Sequence, residues 1–247
     1  MSAVNRPLII GHRGARACEA ENTLASFRRA IAMGVDMIEF DVHVCKSGEL
    51  IVIHDSTLTR TTNGRGFVNR MTLREIKRFH CTNGERVPTL EETLRAVGNR
   101  VRMNVELKSR ASARAAAAFF RHRDISGIEF SSFKWGALFI LRRYLPAAKM
   151  GLLVTKRSSR LFPFAVAKKL GCASINPPAS VLNPAFINKA RKKGLKVLVF
   201  GLRGPNDLEK CFRLKADGVF ADDPAGALEA WRAFSPANRS KGARPGR

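Results

Sequence analysis

The chain has 247 residues, of which 45% are hydrophobic, 26% charged and 8% aromatic. These are ordinary globular values and exclude collagen, coiled coil and wholesale disorder. Forty-four Lys and Arg against 20 Asp and Glu give a formal charge of +24, a surplus that favours polyanions: nucleic acid, anionic lipid surfaces or phosphorylated metabolites. It is also lopsided, because residues 1–110 carry 18 basic and 12 acidic side chains while 111–247 carry 26 and 8.

Short apolar runs alternate with longer amphipathic ones. Residues 8–10 read as a strand, 21–33 as a helix with Leu24, Phe27, Ala30 and Ile31 on one face, and 37–43 as a second strand. A turn at 46–49 returns the chain through 50–53. Residues 55–88 form an irregular insertion with one helical stretch near 73–79. Thr89 and Glu92 have capping-box spacing and open a helix over 90–97. Strands are then expected at 100–107, 127–130, 150–154, 173–176, 196–200 and 218–221. Helices are expected at 111–122, 134–143, 164–170, 184–193, 206–212 and 225–234.

With 50–53 counted as a hairpin arm, eight strands are each followed by a helix, which argues a single (β/α)8 barrel over residues 1–234. An open doubly wound sheet is the competitor that periodicity alone leaves open. The polar tail, 235–247, is expected to be disordered. No run approaches 18 consecutive apolar residues, and no basic stretch followed by an apolar signal core opens the chain, which points to the cytoplasm. Five scattered cysteines without metal-ligand spacing read as free thiols in a reducing compartment.

In a parallel barrel, reactive groups gather where strands end. The first strand ends in Gly11-His12-Arg13-Gly14. The second carries Glu39 and Asp41 on one face, the hairpin arm ends in His54-Asp55, and the third strand ends in Glu106-Leu107-Lys108. Three carboxylates are hard oxygen ligands suited to Mg²⁺ or Ca²⁺ rather than zinc. Two histidines can act as an acid and base pair, and Arg13 and Lys108 offer cations to a phosphate. Each element alone is a weak signal; the set together reads as phosphoryl chemistry.

These residues carry a resemblance. Gly11-His12-Arg13-Gly14, Glu21-Asn22-Thr23, Glu39-Phe40-Asp41-Val42, His54-Asp55 with Arg60-Thr61-Thr62, and Glu106-Leu107-Lys108 resemble the glycerophosphodiester phosphodiesterase family. Looser matches run on through Ser132-Phe133 and Gly218-Val219 to Asp222 and Pro224, so that residues 8–230 are covered. The resemblance implies a barrel of the phospholipase-C-like phosphodiesterase type with an insertion after the second strand. It implies divalent-metal-dependent hydrolysis of small glycerophosphodiesters to glycerol 3-phosphate and an alcohol. His12 and His54 match the catalytic histidines, Glu39, Asp41 and Glu106 the metal ligands, and Arg13 and Lys108 the phosphate-contacting cations. Related phospholipases suggest attack by the substrate's own hydroxyl through a cyclic phosphate.

Some positions are ambiguous or depart from the family. Asn22 and Glu21 are expected first as capping residues of the first helix, and otherwise as groups orienting His12 or Arg13. Asp55 either orients His54 or does not. The seventh strand ends in Phe200-Gly201-Leu202-Arg203, where the family has a Trp-Thr-Val-Asn sequence. Phe200 keeps an aromatic face in the pocket, and Arg203 is expected to favour an anionic or neutral head group. The basic second half reads first as solvated helix faces. Peripheral attraction to an anionic inner membrane face comes second, which would suit a lysophospholipase-D-like activity. Nucleic acid comes last, since no aromatic-interleaved basic groove is present. A non-catalytic basic barrel would be expected to lack one or more of the seven site residues, and all seven are there. The oligomeric state is not legible in the sequence.

Overall fold

The computed structural model describes residues 6–235. Eight parallel strands form the barrel wall: β1 (Leu8–His12), β2 (Met37–Val44), β4 (Arg102–Leu107), β5 (Ile128–Ser132), β6 (Lys149–Leu153), β7 (Ser174–Asn176), β8 (Lys196–Val199) and β9 (Gly218–Ala221). They run in the order β1-β9-β8-β7-β6-β5-β4-β2, and β1 pairs with β2 to close the ring. This closure decides against the open sheet. β3 (Leu50–Val52) runs antiparallel to β2, with Val42 opposite Val52, and is a hairpin arm outside the ring.

Helices α1 (Leu24–Ala32), α3 (Leu90–Val97), α4 (Arg110–Phe120), α5 (Trp135–Tyr144), α6 (Pro163–Lys169), α7 (Pro184–Arg191), α8 (Pro205–Arg213) and α9 (Pro224–Phe234) cover the outside. Between β3 and α3, the insertion holds a 3₁₀ turn, Val68–Arg70, and one helical turn, α2 (Leu73–Ile76). It has its own small core of Ile53, Leu58, Val68, Ile76 and Val87. Thr89 forms the expected capping box with Glu92. The tail from residue 236 onward lies outside the described residues.

The main core lies between strands and helices, and alternate strand residues face it: Ile9, Ile38, Phe40, Val105, Phe130 and Leu152 are all buried there. Phe120 of α4 sits edge-on to both Phe119 and Phe130, with centroids at 4.9 and 5.3 Å. The other face of each strand fills the barrel interior, which is partly polar. Ser131 donates to Asn104 at 2.6 Å and Ser174 to Glu129 at 2.7 Å. Gly151 leaves the space open: a Cβ there would come within 2.9 Å of Ser174, Asn176 and Glu129 side-chain atoms. Burial pushes the Glu129 carboxyl above its usual range.

Four cysteines are buried and Cys18 is exposed, all as free thiols. Among the described residues no helix is long and apolar enough to cross a membrane.

Truncating Phe120 to Ala removes a ring clamped by two others, and is expected to cost about 3–5 kcal/mol in urea unfolding. A cost below about 1 kcal/mol would mean that α4 does not hold the barrel wall as described.

Candidate active site

The turn after β1 sets the geometry. Arg13 and Gly14 both adopt positive φ, 53° and 87°. At Gly14 the position requires glycine, since a Cβ would meet Ser26 Oγ at 2.3 Å. Ser26 Oγ in turn donates to the Arg13 carbonyl at 3.0 Å and accepts from the Ala15 N–H at 2.9 Å. This tight turn aims the Arg13 backbone N–H at Glu39, which accepts it at 2.9 Å.

Glu39, Asp41 and Glu106 are all buried, and one carboxylate oxygen from each lies within 4.8 Å of the others. Register explains the cluster, because His12 is paired with Glu39 and Asp41 with Glu106. Two cations face the three anions. Lys108 donates to Glu106 at 2.7 Å and to Asp41 at 3.1 Å. Arg13 Nε stands 3.4 Å from Asp41 and, though buried, makes no hydrogen bond among the described residues.

Burial and repulsion from Asp41 and Glu106 push Glu39 well above the usual carboxylate range, and burial with Asp41 pushes Glu106 up to about 7. Burial acts against Asp41 too, but Lys108 and Arg13 outweigh it and hold Asp41 below its ordinary value. When all three carboxylates are ionised, as they would be around a bound cation, they exceed the two fixed cations by one charge. The donor set is all hard oxygen, which fits a divalent cation of the Mg²⁺ or Ca²⁺ type.

Each histidine leans on its own aspartate. His12 Nδ1 donates to Asp222 at 2.6 Å, and His54 Nδ1 donates to Asp55 at 2.6 Å. These bonds leave Nε2 of both rings for other partners. Burial lowers the His54 pKa. Asp55 therefore does touch His54. Asp222, which had no assigned role in the sequence reading, reaches His12 only because β9 closes against β1.

Asn22 and Glu21 depart from the capping expectation. Thr23 caps α1, and the helix starts at Leu24 rather than at 21. Asn22 is buried at φ 58°. Its Nδ2 donates to Asp41 at 2.9 Å, and its Oδ1 accepts from the Asp41 N–H. Asparagine suits both tasks, since it tolerates the left-handed region and offers a donor and an acceptor. Glu21 accepts from Arg13 at 2.8 Å and takes two bonds from Arg60, at 2.7 and 2.9 Å. Arg60 also donates to Asp55 at 2.7 Å. A charged chain therefore runs from His54 through Asp55, Arg60 and Glu21 to Arg13, tying the insertion to the turn after β1.

Phe200 is half-buried and stacks edge-on with Phe133 at 5.3 Å, an aromatic pair where β8 and β5 end. Arg203 is exposed on the connection that follows β8, and its backbone N–H donates to Asp207. Surface cavities of about 560, 590 and 710 Å³ lie elsewhere and are lined by none of the seven predicted site residues. The cluster is a charged mouth, not an apolar pocket.

Against known proteins, residues 12–226 match the Glycerophosphoryl diester phosphodiesterase family. A glycerophosphodiester phosphodiesterase of Caldanaerobacter subterraneus subsp. tengcongensis is 33% identical, over 89% of this chain and 95% of that protein. Two solved structures superpose along the same length. An Oleispira antarctica phosphodiesterase, in complex with the product sn-glycerol-3-phosphate, has a TM-score of 0.85 at 26% identity, covering 92% of this chain and 97% of that one. A glycerophosphodiester phosphodiesterase from Agrobacterium tumefaciens has a TM-score of 0.81 at 28% identity, covering 92% and 100%.

The charged chain has a pH signature. Burial raises the Glu21 carboxyl, but the hydrogen bonds from Arg60 and the Arg13 charge win and hold it at about 2 against an ordinary 4.5. A depressed carboxyl stabilises the fold above its unfolded pKa and loses that stabilisation as pH falls through the folded value. Glu21→Gln is expected to cost about 2–3 kcal/mol at neutral pH. The gap from the unsubstituted protein should close as pH falls from 4.5 toward 2. Urea unfolding of both proteins at several pH values checks this, and a gap independent of pH would refute the ion-pair account.

Proposed function

This chain belongs to the glycerophosphoryl diester phosphodiesterase family and hydrolyses glycerophosphodiesters, and we propose that it does so with a divalent cation on Glu39, Asp41 and Glu106 and with His12 and His54 exchanging protons. The observation that carries this reading is a buried carboxylate triad with His12 in register beside Glu39 and with His54 near enough for its charge to act on Asp41, each ring tied to its own aspartate. When bound, such a cation supplies Lewis-acid polarisation of a phosphate oxygen and neutralises its charge.

The chain's own residues do the rest. Arg13, whose buried Nε makes no hydrogen bond among the described residues, and Lys108 hold the non-bridging phosphate oxygens. Asp222 fixes the His12 ring so that Nε2 takes the proton of the glycerol hydroxyl adjacent to the phosphate. That hydroxyl attacks phosphorus and closes a cyclic phosphate. Asp55 fixes the His54 ring so that Nε2 gives a proton to the departing alcohol oxygen. Burial loosens the hold of His54 on that proton, and the anionic phosphate strengthens it again in the complex. Water then opens the ring with the two histidines in exchanged roles, leaving glycerol 3-phosphate. The product held by the Oleispira relative supports the same product here.

The test is release of glycerol 3-phosphate from a panel of glycerophosphodiesters and one lysophospholipid, with Mg²⁺, with Ca²⁺ and with chelator. Release is expected to need the metal, and His12→Ala or His54→Ala should lower it by about 10²–10⁴-fold. Asp222→Asn and Asp55→Asn should each lower it by about 10–100-fold with the fold intact. Full turnover in chelator would remove the metal from the proposal. Release of lysophosphatidate alone would move the substrate to lysophospholipids.

We place Phe200 and Arg203 at the alcohol side, where an exposed cation favours anionic or neutral head groups over a choline-like one. Arg203→Asn is expected to raise relative turnover of the choline diester. An unchanged ranking of head groups would remove Arg203 from the pocket.

A further inference from the structure

The connection from β6 to α6 leaves the barrel at the same end as His12, Asp41, His54 and Lys108, because every parallel strand finishes there. It carries the two most exposed of the large apolar side chains among the described residues, Leu161 at 57% and Phe162 at 82% exposure. Nothing in the fold calls for a phenylalanine there. Phe162 has left-handed backbone (φ 49°, ψ 40°) directly before Pro163, a conformation unfavourable for a bulky side chain and for a residue preceding proline. Glycine or asparagine would sit there with less strain.

The stretch of sequence on either side of this connection is cationic. Lys156, Arg157 and Arg160 are exposed and have no ion-pair partner among the described residues. From residue 130 to 206 the sequence holds fifteen Lys and Arg and no Asp or Glu. Lys134 after β5 and Arg203 after β8 emerge at the same barrel end. Two arginines at the opposite end have structural work. Arg142 donates to the Leu170 and Gly171 carbonyls, and Arg191 to that of Lys215. The loop cations have no such bonds.

We propose that residues 155–162 form an interfacial anchor for an anionic lipid bilayer. Leu161 and Phe162 enter the boundary between head groups and acyl chains, and Lys156, Arg157 and Arg160 meet the lipid phosphates. Each cation near such a surface is worth about fivefold in partitioning, and two apolar side chains add a term that salt does not screen. Binding is weak and reversible, and it turns the barrel mouth toward the membrane. A nucleic acid would use the cations but would leave Leu161 unused, so the bilayer accounts for more of what the loop carries.

The test is co-sedimentation of the full chain with vesicles of phosphatidylcholine alone, or with about 30 mol% phosphatidylglycerol added. Binding is expected only to the anionic vesicles, and should fall steeply toward about 0.5 M salt. Leu161→Ser with Phe162→Asn should reduce it about tenfold or more. The triple change Lys156→Ser, Arg157→Ser, Arg160→Ser should do the same. Both variants should keep the melting temperature and the turnover of a water-soluble glycerophosphodiester. Lys192→Glu with Lys193→Glu, at the opposite end, should bind as the parent does.

Absence of anionic-vesicle binding would overturn the proposal, as would binding lost in the 192/193 variant but kept in the loop variants. So would a parent that dimerises through this loop, read as a smaller sedimentation coefficient in the 161/162 variant. Tighter binding to a DNA duplex, unaffected by the 161/162 change, would assign the cations to nucleic acid instead. Vesicle binding is read without turnover, so this proposal and the catalytic one fail separately.

Discussion

The mutual repulsion of Glu39, Asp41 and Glu106 organises the site. Three carboxylates within 4.8 Å of one another, all buried, are a destabilising arrangement in any low-dielectric interior. Each is held by a different device: the Arg13 backbone N–H for Glu39, Lys108 for Glu106, and Lys108, Asn22 and Arg13 together for Asp41. The left-handed pair Arg13-Gly14 and the buried, left-handed Asn22 exist to deliver those donors. Two of the costlier backbone conformations in the chain thus trace to one electrostatic problem. What the protein's own cations leave uncompensated suits a divalent ion.

The histidines are positioned by the same economy of parts. A ring whose Nδ1 is committed to a carboxylate presents Nε2 in a fixed direction and a fixed tautomer. The two aspartates come from distant parts of the chain. Asp55 is the neighbour of His54, whereas Asp222 lies 210 residues from His12. The first pair is local and follows from sequence adjacency. The second depends on closure of the barrel, so the state of the β1–β9 seam bears directly on the orientation of His12.

That contrast marks what could be read in advance. Strands such as 37–44 are apolar on the side facing the helices, and their inward positions, Glu39 and Asp41, break the pattern only near the mouth; both the barrel and its charged rim were therefore legible. So were the hairpin arm at 50–52, through its Lys46-Ser47-Gly48-Glu49 turn, and the capping box at Thr89. Asn22 was misread as a cap because a polar residue before an amphipathic run looks the same whether it bonds its own helix or a side chain 19 residues away. Asp222 carried no local sign of a tie to His12. Arg60 appeared among the family's residues, but its bridge between Asp55 and Glu21 needed the insertion's path in space. Side-chain partners at long separation are fixed by packing, and periodicity does not encode them.

Arg60 has a consequence for how such barrels diversify. The segment between β3 and α3 looks separable, because it has its own small core and hangs from the β3 arm. Yet its guanidinium is shared between Asp55 within the segment and Glu21 in the turn after β1, and Glu21 also holds Arg13. A transplanted segment lacking an arginine at that place would leave Glu21 without its stronger partner and would loosen Arg13 along with it. The insertion is therefore heritable only together with the β1 turn. Exchanges between homologous barrels should respect a boundary that cuts across the chain's linear order and keeps residues 13, 21, 55 and 60 as one module.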